Sequence, residues 1–190
     1  MNSLQNFIRC EEFCAAHPSG RFLIQVNEET TEAEFKQFLA DNPDYKLEYC
    51  APALSSHALS RAALVGNVPL VRYILQKEEG KRLVNVGDED GWTPLIFAAK
   101  GPKQTAHKVT ELLLANGANP NIATNAFASY PGLVPENATP LYVAAEKARN
   151  LKLVRLLLSH GAVLHPPISE EVKTFLRRAY LELAKEKRAI

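Results

Sequence analysis

The cysteines and histidines offer this chain its most obvious chemistry. Cys10 and Cys14 are four apart, one turn of a helix, and His17 lies about a turn further on. Such a face presents two thiolates and an imidazole, and Cys50 would complete a tetrahedral zinc site. Structural zinc sites usually draw on a tight pair of cysteines in a loop, so this spacing favours buried thiols and no metal. Cys50 with His57 or His17 would make a nucleophile and base, but no surrounding signature accompanies either pair. There is no phosphate-cradling loop, no G-x-G-x-x-G, no H-E-x-x-H and no G-x-S-x-G. Asn137-Ala-Thr139 spells a glycosylation acceptor, but without a secretion leader it is not expected to be used. The reading is a non-enzyme with no catalytic residue, no metal and no cofactor.

The composition is that of a folded globular protein. Hydrophobic residues make 46% of the 190 and charged residues 23%, a globular balance that argues against disorder. The net charge of +1 gives no reason to expect nucleic acid as a partner. Charge is uneven along the chain: residues 1–50 carry 4 basic and 9 acidic groups, a net of −5, whereas residues 51–164 carry 12 and 8, a net of +4. That polarity points to intramolecular docking or a polarised surface. Arg9, Glu11 and Glu12 interrupt any apolar leader, and no run is long enough to span a bilayer, so no membrane association is expected. Three cysteines, an odd number, fit a reducing cytoplasm and free thiols.

The chain repeats itself. "HALSRAALVGNVPLVRYIL" from His57, "TPLIFAAKGPKQTAHKVTELLLANGANPN" from Thr93 and "TPLYVAAEKARNLKLVRLLLSHGAV" from Thr139 align on a double Ala. Each reads as a short Ala-rich helix, a turn, and a second helix with a Leu-rich end. Thr93 and Thr139 are placed to cap, with Pro94 and Pro140 at the first helical position. Gly117 and Gly161 fall where a left-handed residue ends the second helix. The paired Ala let neighbouring units approach, and Leu112–Leu114 and Leu156–Leu158 form a face that only the next unit buries. These motifs resemble the ankyrin repeat, with its T-P-L-H-x-A signature, over residues 56–164. The resemblance implies an all-α ankyrin-repeat solenoid of about three helix-turn-helix units, near 56–88, 89–135 and 136–164.

The departures from the pattern are specific. Ser60, Ile96 and Tyr142 stand at the family's His, and the first unit lacks T-P-L, which leaves its first helix open to a different geometry. His57 to Thr93 is 36 residues, with the extra length between Leu75 and Asn85; Thr93 to Thr139 is 46. Of the second excess, about three residues fall in the turn "GPKQTAHK" and about ten in "NIATNAFASYPGLVPEN".

Both ends of such a stack need covers. At the C-terminus, 165–190, Pro166-Pro167 stops the chain, Ser169 caps, Glu170 and Glu171 suit a helix start, and Val172, Phe175, Leu176, Ala179, Tyr180 and Leu183 form one apolar stripe. In the N-terminal region, 1–50, a helix over Ser3–His17 ends at Pro18-Ser-Gly, "RFLIQV" reads as strand or loop, and Thr31–Ala40 is a helix with a Thr31/Glu34 capping box and Phe35, Phe38 and Leu39 inward.

Function is expected on the concave face and the loop tips that the resemblance implies. The tip "VGDEDGW" places Gly87, Glu89, Asp90 and Trp92 outward, and Leu64, Val65, Lys100, Glu146 and Lys147 follow the paired Ala into the same groove. Trp92, the only Trp, beside charges has the character of a binding hot spot; packing on a neighbouring tip is the alternative. Phe127, Tyr130, Leu133 and Val134 make the long loop apolar for an exposed connection. The expected function is non-catalytic protein binding by a monomer through Glu89, Asp90, Trp92, Lys100, Phe127, Tyr130, Leu133, Glu146 and Lys147. The alternative is a bacterial effector or adaptor with a catalytic or metal-binding N-terminal segment, acting in a host cytoplasm.

Overall fold

The computed structural model describes residues 26–48, 50–51, 56–125, 137–163 and 170–188. The helix expected over Ser3–His17, the cysteines Cys10 and Cys14, His17, and the loop residues Phe127, Tyr130, Leu133 and Val134 lie outside them.

The first described helix, α1 (Glu32–Asp41), starts as its sequence requires. Thr31 Oγ1 accepts from Glu34 N at 3.1 Å, and the Glu34 carboxylate accepts from Thr31 N at 2.7 Å. Those bonds, first to the Thr31 backbone and then to its side chain, hold the Glu34 carboxyl below its usual range. Phe35 and Phe38 are buried, and Phe35 meets Tyr73 edge-on with ring centroids 6.2 Å apart.

Three inner elements then alternate with three outer helices. The inner row is α2 (Ala58–Val65), α5 (Pro94–Lys100) and α7 (Pro140–Tyr142), the last continuing as a π-helical turn over Val143–Lys147. The outer row is α3 (Val68–Leu75), α6 (Lys103–Ala115) and α8 (Leu151–Ser159). Inner elements stack on inner elements, and α1 joins the outer row by packing on α3, which packs on α6, which packs on α8. The paired alanines Ala62, Ala63, Ala98, Ala99, Ala144 and Ala145 are no more than 1% exposed, because a larger side chain would hold the inner row apart. Leu70, Ile74, Leu113, Leu153 and Leu157 fill the space between the rows. Thr110 stands among them, its buried hydroxyl without a hydrogen-bond partner among the described residues.

The caps follow the sequence reading. Thr93 Oγ1 accepts from Ile96 N and Thr139 Oγ1 from Tyr142 N, at 3.4 and 3.3 Å, ahead of Pro94 and Pro140. Gly117 and Gly161 are left-handed, with φ of 87° and 77°. The first unit, despite lacking T-P-L, forms a regular inner helix. His57 takes the threonine's place: its Nδ1 accepts from Ser60 N at 3.3 Å while Nε2–H reaches Val86 O at 3.1 Å. Acceptance at Nδ1 and donation at Nε2 require the neutral ring, and burial lowers its pKa to about 4.

Each irregularity in length is absorbed differently. The residues between Leu75 and Asn85 build a short helix, α4 (Glu78–Arg82), where Gly80 lies so close to Ile74 O that a Cβ would sit 1.9 Å from it. The extra residues of the second unit do not lengthen its turn as expected. They extend α6 at its N-terminal end to 13 residues, against 8 in α3 and 9 in α8. In the third unit one residue more separates the paired Ala from the next helix's Asn cap than in the first: Ala144 to Asn150 against Ala62 to Asn67. The helix swallows it as the π turn, with Ala148 N bonded five residues back to Val143 O. Arg149 then takes a left-handed φ of 47°, which Gly66 takes in the first unit at 75°.

Helix α9 (Glu170–Arg188) closes the stack against α8 and the π turn. Val172, Leu176 and Ala179 are buried and Phe175 is half-buried, but Tyr180, expected in the same stripe, is 55% exposed. It is one residue past Ala179, and a step of about 100° carries it off the face. Arg149 reaches across to Glu171 at 3.3 Å.

Candidate functional site

A hairpin-like finger precedes each inner element. In the first finger β1 (Cys50–Ala51) pairs antiparallel with β2 (Ser56–His57), Ala51 opposite Ser56. The second is closed by Asp88 N donating to Trp92 O at 3.2 Å, and the third by Thr124 N donating to Ala138 O at 3.1 Å. A side-chain oxygen completes each of the last two closures. Asp88 Oδ1 accepts from Trp92 N at 2.8 Å, and Thr124 Oγ1 accepts from Ala138 N at 3.0 Å. Gly91 and Asn137, each one residue before the closing position, are both left-handed, with φ of 76° and 59°. The ten-residue excess of the second unit therefore lies entirely beyond a closed stem.

The second finger is tied together by further bonds. Asp88 Oδ1 also accepts from Asp90 N, and Gly91 N donates to Asp88 O, both at 3.0 Å. Desolvation pushes the Asp88 carboxyl up to about 6, against the pull of its two backbone donors and with help from the charges of Asp90 and Glu89. Glu89 is exposed and Asp90 half-buried. Asn125, the first residue past the third stem, leans back onto this finger: its N donates to Asp90 O and its Nδ2 to Glu89 O, each at 2.8 Å.

Trp92 is not the exposed aromatic that its tip position led us to expect. It is 5% exposed, packed against Phe97 with ring centroids 5.3 Å apart. The hairpin closure at Asp88 turns its side chain under the finger, towards α5. What remains outside is Lys100, exposed, with Nζ 5.0 Å above the indole ring. Trp92 thus serves as the apolar floor that orients a surface cation. One unit on, Glu146 is half-buried, and burial followed by its charge raises the Tyr142 phenol pKa. Leu64, at the matching place of the first unit, is half-buried, as is Val65; the Lys147 side chain lies outside the described set. Leu64, Lys100 and Glu146 thus occupy equivalent places on stacked inner elements, and Glu89 and Asp90 lie at the tip of the finger that precedes α5.

The suggested Cys50–His57 pair does not hold as nucleophile and base. The two residues are cross-strand neighbours, but both ring nitrogens of His57 are engaged in capping and in the bond to Val86. Among the described residues no group of three or more His, Cys, Asp or Glu is placed to hold a metal. Nor is any helix among them long and apolar enough to cross a membrane.

Four residues important to this surface were missed in the sequence. Asp88 carried a usable signal, an Asp two residues before a second Asp and three before a Gly, the pattern of a side chain bonding its own turn. Asn125 carried none, because its partners are 35 and 36 residues away in sequence. Asn85 and Asn121 bridge consecutive units, Asn85 to Gly117 O and Asn119 N, and Asn121 to Gly161 O and Val163 N.

The model of the family described as ankyrin repeats (3 copies) matches residues 27–124 and 59–168, spans that together exceed half of the chain. The chain belongs to the ankyrin repeat family. Ankyrin repeats are generally protein–protein interaction modules and are typically non-catalytic. The match begins at residue 27, so it takes in α1 as well as the three units named above. Comparison with curated proteins gives no match to the chain.

Proposed function

We propose that this ankyrin protein is a non-catalytic, monomeric scaffold that binds one protein partner along its inner row and finger tips. The observation that carries the reading is that Leu64, Lys100 and Glu146 stand at equivalent places on the stacked inner elements, with the acidic Glu89–Asp90 tip on the finger before α5. These are differing chemistries at equivalent places on an otherwise repetitive frame. Repeat positions that the fold does not need are where specificity is free to vary. Residues 51–164 would carry the recognition surface, with residues 1–50 and 165–190 closing its ends. Of the remaining expected contacts, Lys147 would extend the row and Phe127, Tyr130 and Leu133 would add apolar reach from the long loop. Trp92 acts through Lys100 in this reading rather than as a contact of its own.

Affinity capture from cell lysate tests it, comparing the intact protein with a Glu89→Lys, Lys100→Glu double variant and with a chain lacking 126–134. Glu89 and Lys100 are exposed, so the double variant is expected to keep its thermal stability while losing the partner. Equal recovery from all three proteins would move the binding site off the concave face.

A further inference from the structure

We infer that Asn125 is a positioning residue of the binding surface: it ties the second finger to the third and engages the two carbonyls at the second finger's tip, so that the tip is read chiefly through side chains. The inference rests on the protein-binding reading above and specifies how one part of that surface works.

The argument is an accounting of backbone groups. In the second finger the amides of Asp90 and Trp92 donate to Asp88 Oδ1, and that of Gly91 donates to Asp88 O. The amide of Asp88 itself donates to Trp92 O. Asn125 takes the two carbonyls at the tip, Asp90 O through its own backbone N and Glu89 O through its carboxamide. A partner strand that adds to a hairpin needs a row of available N–H and C=O groups. Here the turn and Asn125 occupy all of these groups from Asp88 to Trp92 except the Glu89 amide and the Gly91 carbonyl, which leaves no continuous row. What the tip still offers outward is the exposed Glu89 carboxylate. The partner group that meets it is therefore a side-chain donor, with a lysine or arginine the best match in charge.

The seat for Asn125 is built rather than incidental. At Gly91 a Cβ would stand 2.8 Å from both Asn125 N and Asn125 Oδ1, so the approach depends on glycine at that place. Asn125 itself is exposed, and an exposed polar side chain adds little to the core. Its two bonds span separate units of the array, and their effect is to fix one tip relative to the next. A tip fixed before binding loses less conformational freedom when a partner arrives.

The test uses the full chain and Asn125→Ala, which keeps the backbone donor and removes the carboxamide. Amide hydrogen exchange over residues 89–92 is expected to quicken by about threefold to tenfold, the loss of one bond at a surface. Acrylamide quenching of Trp92 is expected to rise, while the melting temperature moves by no more than about 2 °C. Unchanged exchange and quenching would overturn the inference. So would a uniform quickening through α5, α6 and α8 with a matching fall in melting temperature, the mark of a merely structural residue. A second arm uses the protein captured above in a cycle of Glu89→Ala with Asn125→Ala. Non-additive losses of affinity are expected, and additive losses would overturn the positioning role. Because the exchange arm needs no partner, it can fail while protein binding stands, and the reverse.

Discussion

The second and third fingers have the same stem and different tips. Both close through one backbone bond and one side-chain acceptor, Asp88 in one and Thr124 in the other, and both pass through a left-handed residue just before the closing position. Between the closing residues lie only Glu89, Asp90 and Gly91 in the second finger but residues 125–137 in the third. The closure is indifferent to what it encloses. It follows that the array tolerates insertion at a tip without disturbing the stack, because the cost of a longer closed loop grows only logarithmically with its length. The two stems do differ in chemistry. A carboxylate that is partly desolvated costs free energy, and a hydroxyl in the same role does not.

The largest expected effect breaks the shared left-handed position. Gly91→Ala puts a Cβ at φ 76° and 2.8 Å from Asn125, so we expect a loss of about 2–3 kcal/mol in chemical denaturation. Asn137→Gly, at the same place in the third finger, is expected to change stability by less than about 1 kcal/mol, and in the favourable direction. Equal effects at the two positions would mean that the stems are not equivalent.

Next in size is the acceptor of the third stem. Thr124→Val keeps the shape and removes the oxygen that Ala138 N uses, leaving a buried N–H unpaired at a cost of about 1–3 kcal/mol. Asp88→Asn tests the second stem in the opposite direction. The amide oxygen still accepts from Trp92 N and Asp90 N, while the desolvated charge disappears. Since the group is half-buried and solvent screens it, we expect stabilisation of only about 1 kcal/mol at pH 8, read as a rise in melting temperature.

The smallest effect is in the pH profile. The Asp88 carboxyl is raised from 3.8 to about 6 by folding, so its stabilising contribution is complete below the unfolded value and is lost as pH rises through about 6. His57 is lowered from 6.5 to about 4, so its contribution is complete above the unfolded value and is lost as pH falls through about 4. Between these limits the two groups oppose each other. In Asp88→Asn only His57 remains of the pair, and melting temperature is expected to climb with pH from 4 to 6.5 more steeply than in the parent. A profile parallel to the parent's would show that the second stem carries no titrating cost.

Much of the frame was legible because its signals are local. The Thr31/Glu34 box, the Thr-Pro helix starts and the glycines after α6 and α8 each act within a few residues, and all are found where the spacing put them. What misled was a side chain whose direction depends on a turn. Trp92 reads as exposed from its place in the repeat, but the Asp88 closure rotates it inward onto Phe97. The extra residues of "GPKQTAHK" read as loop, although none but Gly101 and Pro102 resists a helix, and the helix took the rest. The π turn was illegible in prospect: a single added residue has no sequence mark of its own, and only the count between Ala144 and Asn150 reveals it. Asn125 was beyond reach for a different reason, since its partners lie in another unit.

Asn85 and Asn121 bear on how an array of such units can grow. Each holds its own unit through the chain and the following unit through a single carboxamide, which gives a hydrogen to the glycine carbonyl just past a helix and takes one from the next residue but one. A joint of that kind travels with the unit that carries it. When the stretch of DNA encoding one unit is duplicated, the copy arrives with its fastening already in place and needs no matching change in its new neighbour. Lengthening by whole units is then a single genetic event, while novelty accumulates separately at the tips.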